Sequence, residues 1–365
     1  MTKKVPGRKT SKKKRKKRIR RIKRIALIVL LVLVLLLIIL GIVFFFLQRA
    51  GKDALLYRDG EVEVTAPELE NMQIELEDDG ETVVYEGRTY RYNRNLSSIL
   101  LMGVDREEMN DGNDRIGESG QADCILLAVW DMQSGQITLL SISRDAMVDV
   151  NIYDTNGDPY GIENQQICLA YAYGDGKEGS CENVVRSVSR LLYGMPVQSY
   201  AAINLSAIDE LNDAIGGVEV TVPEDLALNS DVFRAGERIL LKGSQAEAFV
   251  RSRDTSKVDS NMARMSRQKQ YMFAYIQKAL QQTKEDVTVP LSLYQVASKN
   301  DNMITNISLS KVTYMATQLL KVNFSEENMK SVPGEVTMGE KYAEFHVDDK
   351  ELYEMILDIF YIPQE

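Results

Sequence analysis

The sequence predicts an α/β sandwich domain that follows a single transmembrane helix. Three observations lead to this fold class. Residues 25–47 are 23 consecutive positions without a charged or strongly polar side chain. Three apolar runs with β character follow at 98–104, 124–130 and 137–142, and their continuous hydrophobicity is typical of strands covered on both faces. Helical segments with capping signals then occur between residues 180 and 282, and strands mixed with helices indicate layers of both.

The apolar run at residues 25–47 predicts an uncleaved membrane anchor. A helix rises about 1.5 Å per residue, so a run of this length crosses a hydrocarbon core of about 30 Å. A cleaved signal peptide is the alternative, but its apolar region normally has about 7–15 residues and ends in small residues. Residues 1–24 carry 15 basic and no acidic side chains. They predict a cytoplasmic tail that contacts anionic membrane lipid, with residues 48–365 outside the cell.

The charge of the remaining chain excludes several classes of protein. The whole sequence has 44 Lys+Arg and 53 Asp+Glu, so 29 basic and 53 acidic residues follow the tail. Such an acidic body repels phosphate backbones, and no nucleic-acid partner is expected. The only histidine, His346, excludes a multi-histidine metal site. Three cysteines do not make a disulfide-stabilised scaffold, although Cys168 and Cys181 could form one disulfide or remain free thiols.

Turn and cap signals predict the remaining elements. Ser180 is a candidate N-cap, and Ser244 and Glu247 have capping-box spacing. The predicted elements are a hairpin over 83–92, helices over 180–193, 245–251 and 262–282, a strand over 218–222, and two or three helices with a short strand over 304–361. The predicted organisation is a basic tail (1–24), a transmembrane helix (25–47), a stalk with a β entry (48–96), an α/β domain (97–282) and a helical extension (283–365).

Charged residues lie at the ends of the predicted strands. Asp105 and Arg106 follow the first apolar run, Asp123 precedes the second, and Arg144 and Asp145 follow the third. Adjacent strands of an α/β sheet bring their ends together, and a functional site usually lies at such ends. The sequence therefore predicts a shared site there, with simple capping of the strands in solvent as the alternative.

A second group of polar residues is rich in arginine. Arg264, Arg267 and Gln268 have the spacing i, i+3, i+4 and are predicted to share one helix face, with Arg251 and Arg253 just upstream. Arginine favours bidentate contacts with phosphate. The alternative is a set of surface ion pairs, each worth about 0–1 kcal/mol. Aspartates and arginines without histidine fit Mg²⁺-assisted chemistry on a pyrophosphate.

Seven sequence blocks, taken in order, resemble the LytR-CpsA-Psr family of Gram-positive envelope proteins. The blocks are SILLMGVDR (98–106), ADCILLAVWD (122–131), ITLLSISRD (137–145), LAYAYGDG (169–176), DAIGGVEVTVPED (213–225), LKGSQAEAFVRSRD (241–254) and RMSRQ (264–268). The resemblance covers roughly residues 97–282, and the basic tail and single span also match. It implies an α/β sandwich with a mixed central sheet and an apolar tunnel that holds a polyprenyl chain.

The resemblance also implies a cell wall transferase and its site. Members of the family transfer a glycopolymer, such as wall teichoic acid or capsule, from a polyprenyl-pyrophosphate carrier to peptidoglycan. By this resemblance Asp105 and Asp123 would hold Mg²⁺ or Mn²⁺, and Asp145 would orient Arg144. The implied pyrophosphate ligands are Arg144, Arg106, Arg251, Arg253, Arg264, Arg267 and Gln268. Asp123 and Asp145 are candidate bases, although positioning and electrostatics supply most of phosphoryl-transfer catalysis.

The chain departs from the family pattern beside the predicted site. The usual Ser-Asp-Thr is Ala122-Asp123-Cys124, the usual Ile-Pro-Arg-Asp is Ile142-Ser143-Arg144-Asp145, and a frequent Lys-Ile-Asn is Gln166-Ile167-Cys168. Two other functions remain open at this point. One is a polyprenyl-pyrophosphate pyrophosphatase, in which water replaces the acceptor, and the other is a non-catalytic envelope regulator that binds the lipid pyrophosphate.

Overall fold

The computed structural model divides the chain into two units, Met1–Ala50 and Gly51–Glu365. The residues that it describes are 9–56, 64–68, 73–77, 79–106, 116–117, 119–204, 207–228, 231–252, 260–339 and 341–364. The second unit contains all of the described strands and all of the candidate site residues.

The helices of the described residues are numbered in chain order. They are α1 (Lys9–Leu56), α2 (Leu169–Ala172), α3 (Glu178–Leu191), α4 (Ala207–Ala214), α5 (Ser244–Arg251), α6 (Ser260–Glu285), α7 (Val289–Ala297), α8 (Leu309–Leu319) and α9 (Asp349–Phe360).

The strands are numbered in the same way. They are β1 (Ile74–Leu76), β2 (Thr82–Tyr85), β3 (Arg88–Tyr92), β4 (Leu96–Val104), β5 (Ala122–Asp131), β6 (Ile137–Ile142), β7 (Met147–Tyr153), β8 (Pro159–Gln166), β9 (Ser199–Asn204), β10 (Val218–Thr221), β11 (Leu226–Leu228), β12 (Asp231–Phe233), β13 (Arg238–Leu241), β14 (Met303–Thr305), β15 (Met329–Ser331), β16 (Gly334–Met338), β17 (Ala343–Val347) and β18 (Tyr361–Pro363).

Helix α1 is longer than the predicted transmembrane segment. Its part from Leu27 to Leu56 is long and apolar enough to cross a membrane, and the apolar side chains between residues 27 and 46 are exposed, as expected of side chains that face lipid. The last turn of α1 belongs to the second unit. There Leu55 packs against Ile99 and Tyr314, and Gly51 lies so close to the backbone of Ser310 that a Cβ atom would collide with it.

The central sheet has six strands in the order β14-β9-β4-β5-β6-β15. Strands β4, β5 and β6 are antiparallel neighbours, while β9 runs parallel to β4 and β15 runs parallel to β6. The sheet is therefore mixed, as the sequence predicted. The three apolar runs form β4, β5 and β6, and β4 is buried along nearly its whole length.

Helices cover both faces of the central sheet. On one face Leu100 belongs to a core that includes Val184 of α3 and Phe360 of α9. On the other face Trp130 packs in a cluster with Leu280 of α6. This two-sided cover explains why the strands are apolar without alternation, because side chains on both faces of a strand leave water.

The chain after residue 283 contributes more strands than the sequence predicted. The expectation was a helical extension with one short strand, and the described residues contain three α-helices, two short 3-10 helices and five strands in this region. Strand β14 pairs with β9 at one edge of the central sheet and β15 pairs with β6 at the other, while β18 pairs with β3. The C-terminal segment therefore completes the sheet that the earlier strands begin.

Two predicted helix caps were wrong, although the helices exist. Helix α3 begins at Glu178, before Ser180, and the Ser180 hydroxyl donates to the Tyr171 carbonyl at 2.6 Å instead. Helix α5 has no side-chain cap of its own. Its first backbone N–H groups donate to Asp209 and Asp213 of α4. A neighbouring helix thus supplies the acceptors that the predicted local box would have provided.

Candidate active site

An apolar cavity of about 460 Å³ lies between the central sheet and α6. Strands β4, β5, β6 and β9 supply one wall, and α4 and α6 supply much of the other. Its apolar lining includes Leu101, Leu126, Ile203, Leu211, Met272 and Tyr275. The cavity forms because α6 crosses the sheet face without filling the space above the middle strands.

Polar side chains line the cavity where the central strands end. Asp123, Arg144, Arg264 and Gln268 are part of its lining. The register explains the meeting of the first two, because Ile125 of β5 pairs with Ile142 of β6. Asp123 therefore precedes that pair on one strand and Arg144 follows it on the other.

Asp105 reaches the same edge of the sheet. Val104, the last residue of β4, pairs with Ala122, the first residue of β5, so Asp105 and Asp123 are brought together. The predicted meeting of strand ends is confirmed for Asp105, Asp123, Arg144 and Asp145.

The guanidinium of Arg144 contacts four side chains. It forms a short ion pair with Asp123, donates to Gln121 Oε1 at 2.5 Å, lies 3.5 Å from Asp145 Oδ1 and lies 3.5 Å from Cys168 Sγ. The Arg144 side chain is 24% exposed. It is thus fixed in orientation while one side remains open to the cavity.

Asp123 and Asp105 form a pair of coupled carboxylates. Burial raises the pKa of Asp123, the negative charge of Asp105 raises it further, and the positive charge of Arg144 opposes both effects. The Asp105 side chain is half exposed. The described residues contain no group of three or more His, Cys, Asp or Glu suited to a metal. Two hard carboxylate oxygens still fit Mg²⁺, which binds through one or two carboxylates together with substrate phosphates.

One predicted pyrophosphate ligand, Arg251, contacts Asp105, and another, Arg106, follows Asp105 in the chain. Arg251 donates to Asp105 Oδ1 at 3.2 Å and to Glu247 Oε1 at 2.6 Å, and its side chain is about half exposed. The Arg106 Nη1 atom lies 3.5 Å from the carbonyl of Gly176. Arg253, the remaining predicted pyrophosphate ligand upstream of α6, lies outside the described residues.

The predicted common face of Arg264, Arg267 and Gln268 was wrong for Arg267. Its side chain is 2% exposed and forms an ion pair with Glu224. It also donates to the backbone carbonyls of Phe249 and Ser252. A step of three residues along a helix turns about 300°, so Arg267 points toward α5 while Arg264 and Gln268 reach the cavity. These contacts favour a structural role for Arg267.

Sequence reasoning missed Gln121 and Gln166. Gln121 contacts Arg144, and the Gln166 side chain donates to Asp145 Oδ1 at 3.2 Å and to the Ala343 carbonyl at 2.8 Å. Gln121 lies one residue before β5, which is the only sequence signal for it. Gln166 was noted as a departure from the family pattern, but its partner Ala343 lies 177 residues away.

From the sequence, Cys168 and Cys181 could either form a disulfide or remain free thiols. Cys124, Cys168 and Cys181 are free thiols. Cys168 and Cys181 are fully buried, and burial raises the pKa of Cys168 to about 11. A buried thiol beside Arg144 therefore stays protonated at neutral pH.

The structure thus combines an α/β sandwich with an apolar cavity that ends at aspartates and arginines, which is the arrangement that the sequence blocks led us to expect. The chain belongs to the LytR_cpsA_psr family, whose family model matches residues 66–358. This match confirms the family that the sequence blocks indicated.

Two curated relatives and one solved structure show what the chain is similar to. The polyisoprenyl-teichoic acid–peptidoglycan teichoic acid transferase TagU of Enterococcus faecalis is 26% identical over 262 residues, which are 71% of this chain and 77% of the relative. The transferase TagV of Bacillus subtilis is 27% identical over 59% of this chain, which spans about half the length of that relative. The crystal structure of B. subtilis TagV matches with a TM-score of 0.56 at 22% identity, over 73% of this chain and 97% of that chain. This likeness confirms the predicted fold.

Proposed function

We propose that this chain is a membrane-anchored phosphotransferase that moves an anionic glycopolymer of the teichoic acid type from a polyprenyl-pyrophosphate carrier to peptidoglycan. One observation carries the proposal, namely an apolar cavity whose walls reach Arg144, Arg264 and Asp123. A polyprenyl pyrophosphate has the same two parts, an apolar chain and a charged head. The relatives named above are transferases for substrates of this class.

The donor would bind with its chain in the cavity and its head at the strand ends. Arg144 has one side open to the cavity, and Arg264 and Gln268 line the opposite wall. Arginine holds phosphate oxygens through two parallel hydrogen bonds. Contacts with Gln121 and Asp145 keep the Arg144 guanidinium in place before the donor arrives. Such preorganised charge is the main source of catalysis in phosphoryl transfer.

The reaction would exchange one phosphorus–oxygen bond for another. The acceptor hydroxyl oxygen attacks the phosphorus attached to the glycopolymer, the phosphoanhydride bond breaks, and polyprenyl phosphate leaves with the bridging oxygen. The hydroxyl proton must be accepted by a nearby base. We assign that role to Asp145, because Gln166 and Arg144 orient its carboxylate and Asp123 is the carboxylate that we propose as a ligand of the divalent cation.

Asp105 and Asp123 would hold a divalent cation, Mg²⁺ or Mn²⁺. When bound, this ion neutralises charge on the pyrophosphate. Burial is the main cause of the raised pKa of Asp123, and repulsion by the negative charge of Asp105 adds to it. A cation between them would relieve that repulsion.

The anchor would place the site where a lipid-borne donor is found. We propose that residues 1–24 are cytoplasmic and residues 48–365 extracellular, because basic residues flank the cytoplasmic end of a span. A donor confined to the same membrane has a high effective concentration at the site.

The test uses the full chain in detergent with a synthetic polyprenyl-pyrophosphate glycan, Mg²⁺ and a peptidoglycan oligomer. Mass spectrometry should detect a phosphodiester-linked product and polyprenyl phosphate. The product should disappear in Arg144→Ala and persist in the surface control Val232→Ala. Release of polyprenyl phosphate without a linked product would contradict transfer and support hydrolysis.

The cation is tested in the same assay. Removal of divalent ions with EDTA should stop product formation, and Mg²⁺ should restore it. Asp105→Asn should require more Mg²⁺ for half-maximal rate. An unchanged titration in Asp105→Asn would contradict the assignment of this carboxylate.

A further inference from the structure

Two hairpins beside the candidate site expose an unusual number of large apolar side chains. Tyr160 and Ile162 of β8 are 76% and 57% exposed, and Met338 and Tyr342 of the other hairpin, β16–β17, are 78% and 69% exposed. Single exposed apolar residues are ordinary, but a group of them on neighbouring elements marks an interaction surface.

The β7–β8 hairpin connects this surface to the site. Side chains alternate along a strand, so Ile162, Asn164 and Gln166 lie on one face of β8, and Tyr160 is the extra residue of a bulge at the outer end of that strand. Gln166 donates to Asp145, the residue to which we assign the acceptor proton. Gln166 lies six residue steps from Tyr160 along the extended chain, a length of about 20 Å. One face of β8 therefore leads from the reacting groups outward along the protein surface.

The tip of the β16–β17 hairpin lies at the inner end of the same face. The Gln166 side chain also donates to the Ala343 carbonyl, and Ala343 pairs with Met338 and follows Tyr342 directly. The backbone N–H of Phe345 donates to the Asp145 carbonyl at 2.8 Å. The two hairpins are thus joined through Gln166 and Asp145, and their exposed apolar residues flank one region.

We infer that the outer face of β8, together with Met338 and Tyr342 of the β16–β17 hairpin, binds the glycan strand of the acceptor. This inference rests on the proposed function, in which the acceptor is peptidoglycan. The C–H groups of a sugar ring pack on the electron-rich face of an aromatic ring, which suits Tyr160 and Tyr342. Asn164 lies on the same face of β8 and carries an amide that both donates to and accepts from hydroxyl groups.

Charge favours a neutral glycan over other occupants. Residues 147–166 contain four acidic residues, Asp149, Asp154, Asp158 and Glu163, and no lysine or arginine. The β16–β17 hairpin adds Glu335, Glu344 and one lysine, Lys341, so these described residues remain acidic overall. Such a surface repels anionic lipid headgroups and the phosphate-rich polymer of the donor. The glycan backbone of peptidoglycan is uncharged where its lactyl carboxyl groups are amide-linked to the stem peptides, so it meets no such repulsion.

The test measures binding of glycan strands whose lactyl carboxyl groups are capped as methylamides, and which are therefore uncharged, to the full chain in detergent, without any donor. Wild type should bind, and Tyr160→Ala and Tyr342→Ala should each weaken binding at least about fivefold, since each removes one stacking ring. Tyr160→Phe keeps the ring and should bind as wild type does. Val232→Ala removes an equally exposed apolar side chain on β12 and should have no effect.

Three results would overturn the inference. One is equal glycan affinity in wild type and in both alanine variants. Another is a loss in Tyr160→Phe equal to that in Tyr160→Ala. The third is hairpin-dependent binding of poly(glycerol phosphate), a polyanion, in place of the glycan.

Failure of the proposed function would look different from failure of this inference. If wild type binds glycan through the hairpins but forms no linked product with the donor, the result supports the glycan-binding surface and contradicts the proposed transferase function. If the linked product forms and the acceptor KM is unchanged in Tyr160→Ala and Tyr342→Ala, the result supports the proposed transferase function and contradicts the glycan-binding surface. Amide hydrogen exchange tests the surface independently, because bound glycan should slow the exchange of β8 amide hydrogens in the wild type.

Discussion

Arg144 supports the conformation of its neighbours as well as the proposed chemistry. Its guanidinium pairs with Asp123, whose side chain is 19% exposed, and its positive charge acts on that carboxylate more strongly than the charge of Arg264 does. Removal of Arg144 therefore takes the main cation from a largely buried carboxylate. A buried charged group without a partner lowers the free energy of unfolding.

The first prediction separates these two effects of Arg144. Arg144→Ala should lower the rate of transfer at least about a hundredfold and lower the free energy of unfolding by about 1–3 kcal/mol. Arg144→Lys keeps the charge but loses the planar fork, so it should keep most of the stability and lose the activity. Product formation and urea unfolding check both. An active Arg144→Lys variant would contradict the need for a bidentate contact.

The second prediction concerns Arg267, which lies on the same helix as Arg264 but is buried. Arg267→Ala should lower the free energy of unfolding by about 3 kcal/mol or more, because Glu224 and two backbone carbonyls lose their donor. Arg251→Ala is the matched control. Its ion pairs are exposed, so the change should stay within about 1 kcal/mol. Similar unfolding curves for the two variants would contradict the view that Arg267 stabilises the fold more than Arg251 does.

The third prediction concerns the thiols. Burial raises the pKa values of Cys168 and Cys181, so neither forms a thiolate at pH 8, and neither is accessible. Iodoacetamide should leave both unmodified in the native protein and modify both after unfolding in urea. Mass spectrometry under non-reducing conditions should find no Cys168–Cys181 disulfide. Rapid native alkylation of Cys168 would show that the chain around Arg144 opens.

At the scale of single residues, the sequence predicted the acidic and basic groups at the strand ends but not their partners. Asp105, Asp123 and Arg144 follow from the strand pattern alone. Gln121 and the carbonyl of Ala343 contact the site only through tertiary structure, which no local pattern encodes. Arg267 was misplaced because the i, i+3 spacing groups residues whose directions differ by about 60°, enough to reach different neighbours.

At the scale of elements, the last turn of α1 packs closely on α8. Gly51 has no room for a side chain because the Ser310 backbone and Tyr314 lie against it. Gly51→Val should therefore force α8 outward and lower the free energy of unfolding by about 1–3 kcal/mol.

Gly41 of the same helix is the matched control. A Cβ atom there would meet nothing within 4 Å, so Gly41→Val should leave unfolding unchanged. Thermal unfolding of the full chain in detergent compares the two variants. Equal melting temperatures would show that α1 and α8 do not pack as described.

Elements with a strong apolar pattern were predicted well, and short ones were not. The runs that became β4, β5 and β6 are apolar on both faces, so burial alone marks them. Strands β14, β15 and β18 have three residues each. They are strands only because a neighbouring edge offers hydrogen bonds, and three residues carry too little pattern to show this in the sequence.

At the scale of the whole molecule, charge and hydropathy predict one orientation in the membrane. A protease added to intact cells should degrade residues 48–365 and spare residues 1–24. Antibodies to epitopes at either end, followed by immunoblotting, report which end survives. Loss of the N-terminal epitope with survival of the C-terminal one would reverse the topology. Permeabilised cells serve as the control, because both epitopes should then be accessible.

The position of β14 and β15 sets an order of events during synthesis. The four inner strands of the central sheet are complete at residue 204, but the strands that cover its two outer edges end only at residues 305 and 331. At about 5–20 residues per second, the ribosome needs roughly 6–25 s to supply the missing 127 residues. Both edges present unpaired backbone groups until residue 305 is made, and the β6 edge does so until residue 331; such groups are templates for aggregation. The nascent chain is therefore exposed to misassembly until less than a tenth of it remains to be made, and a chaperone that shields open β edges would act in that window.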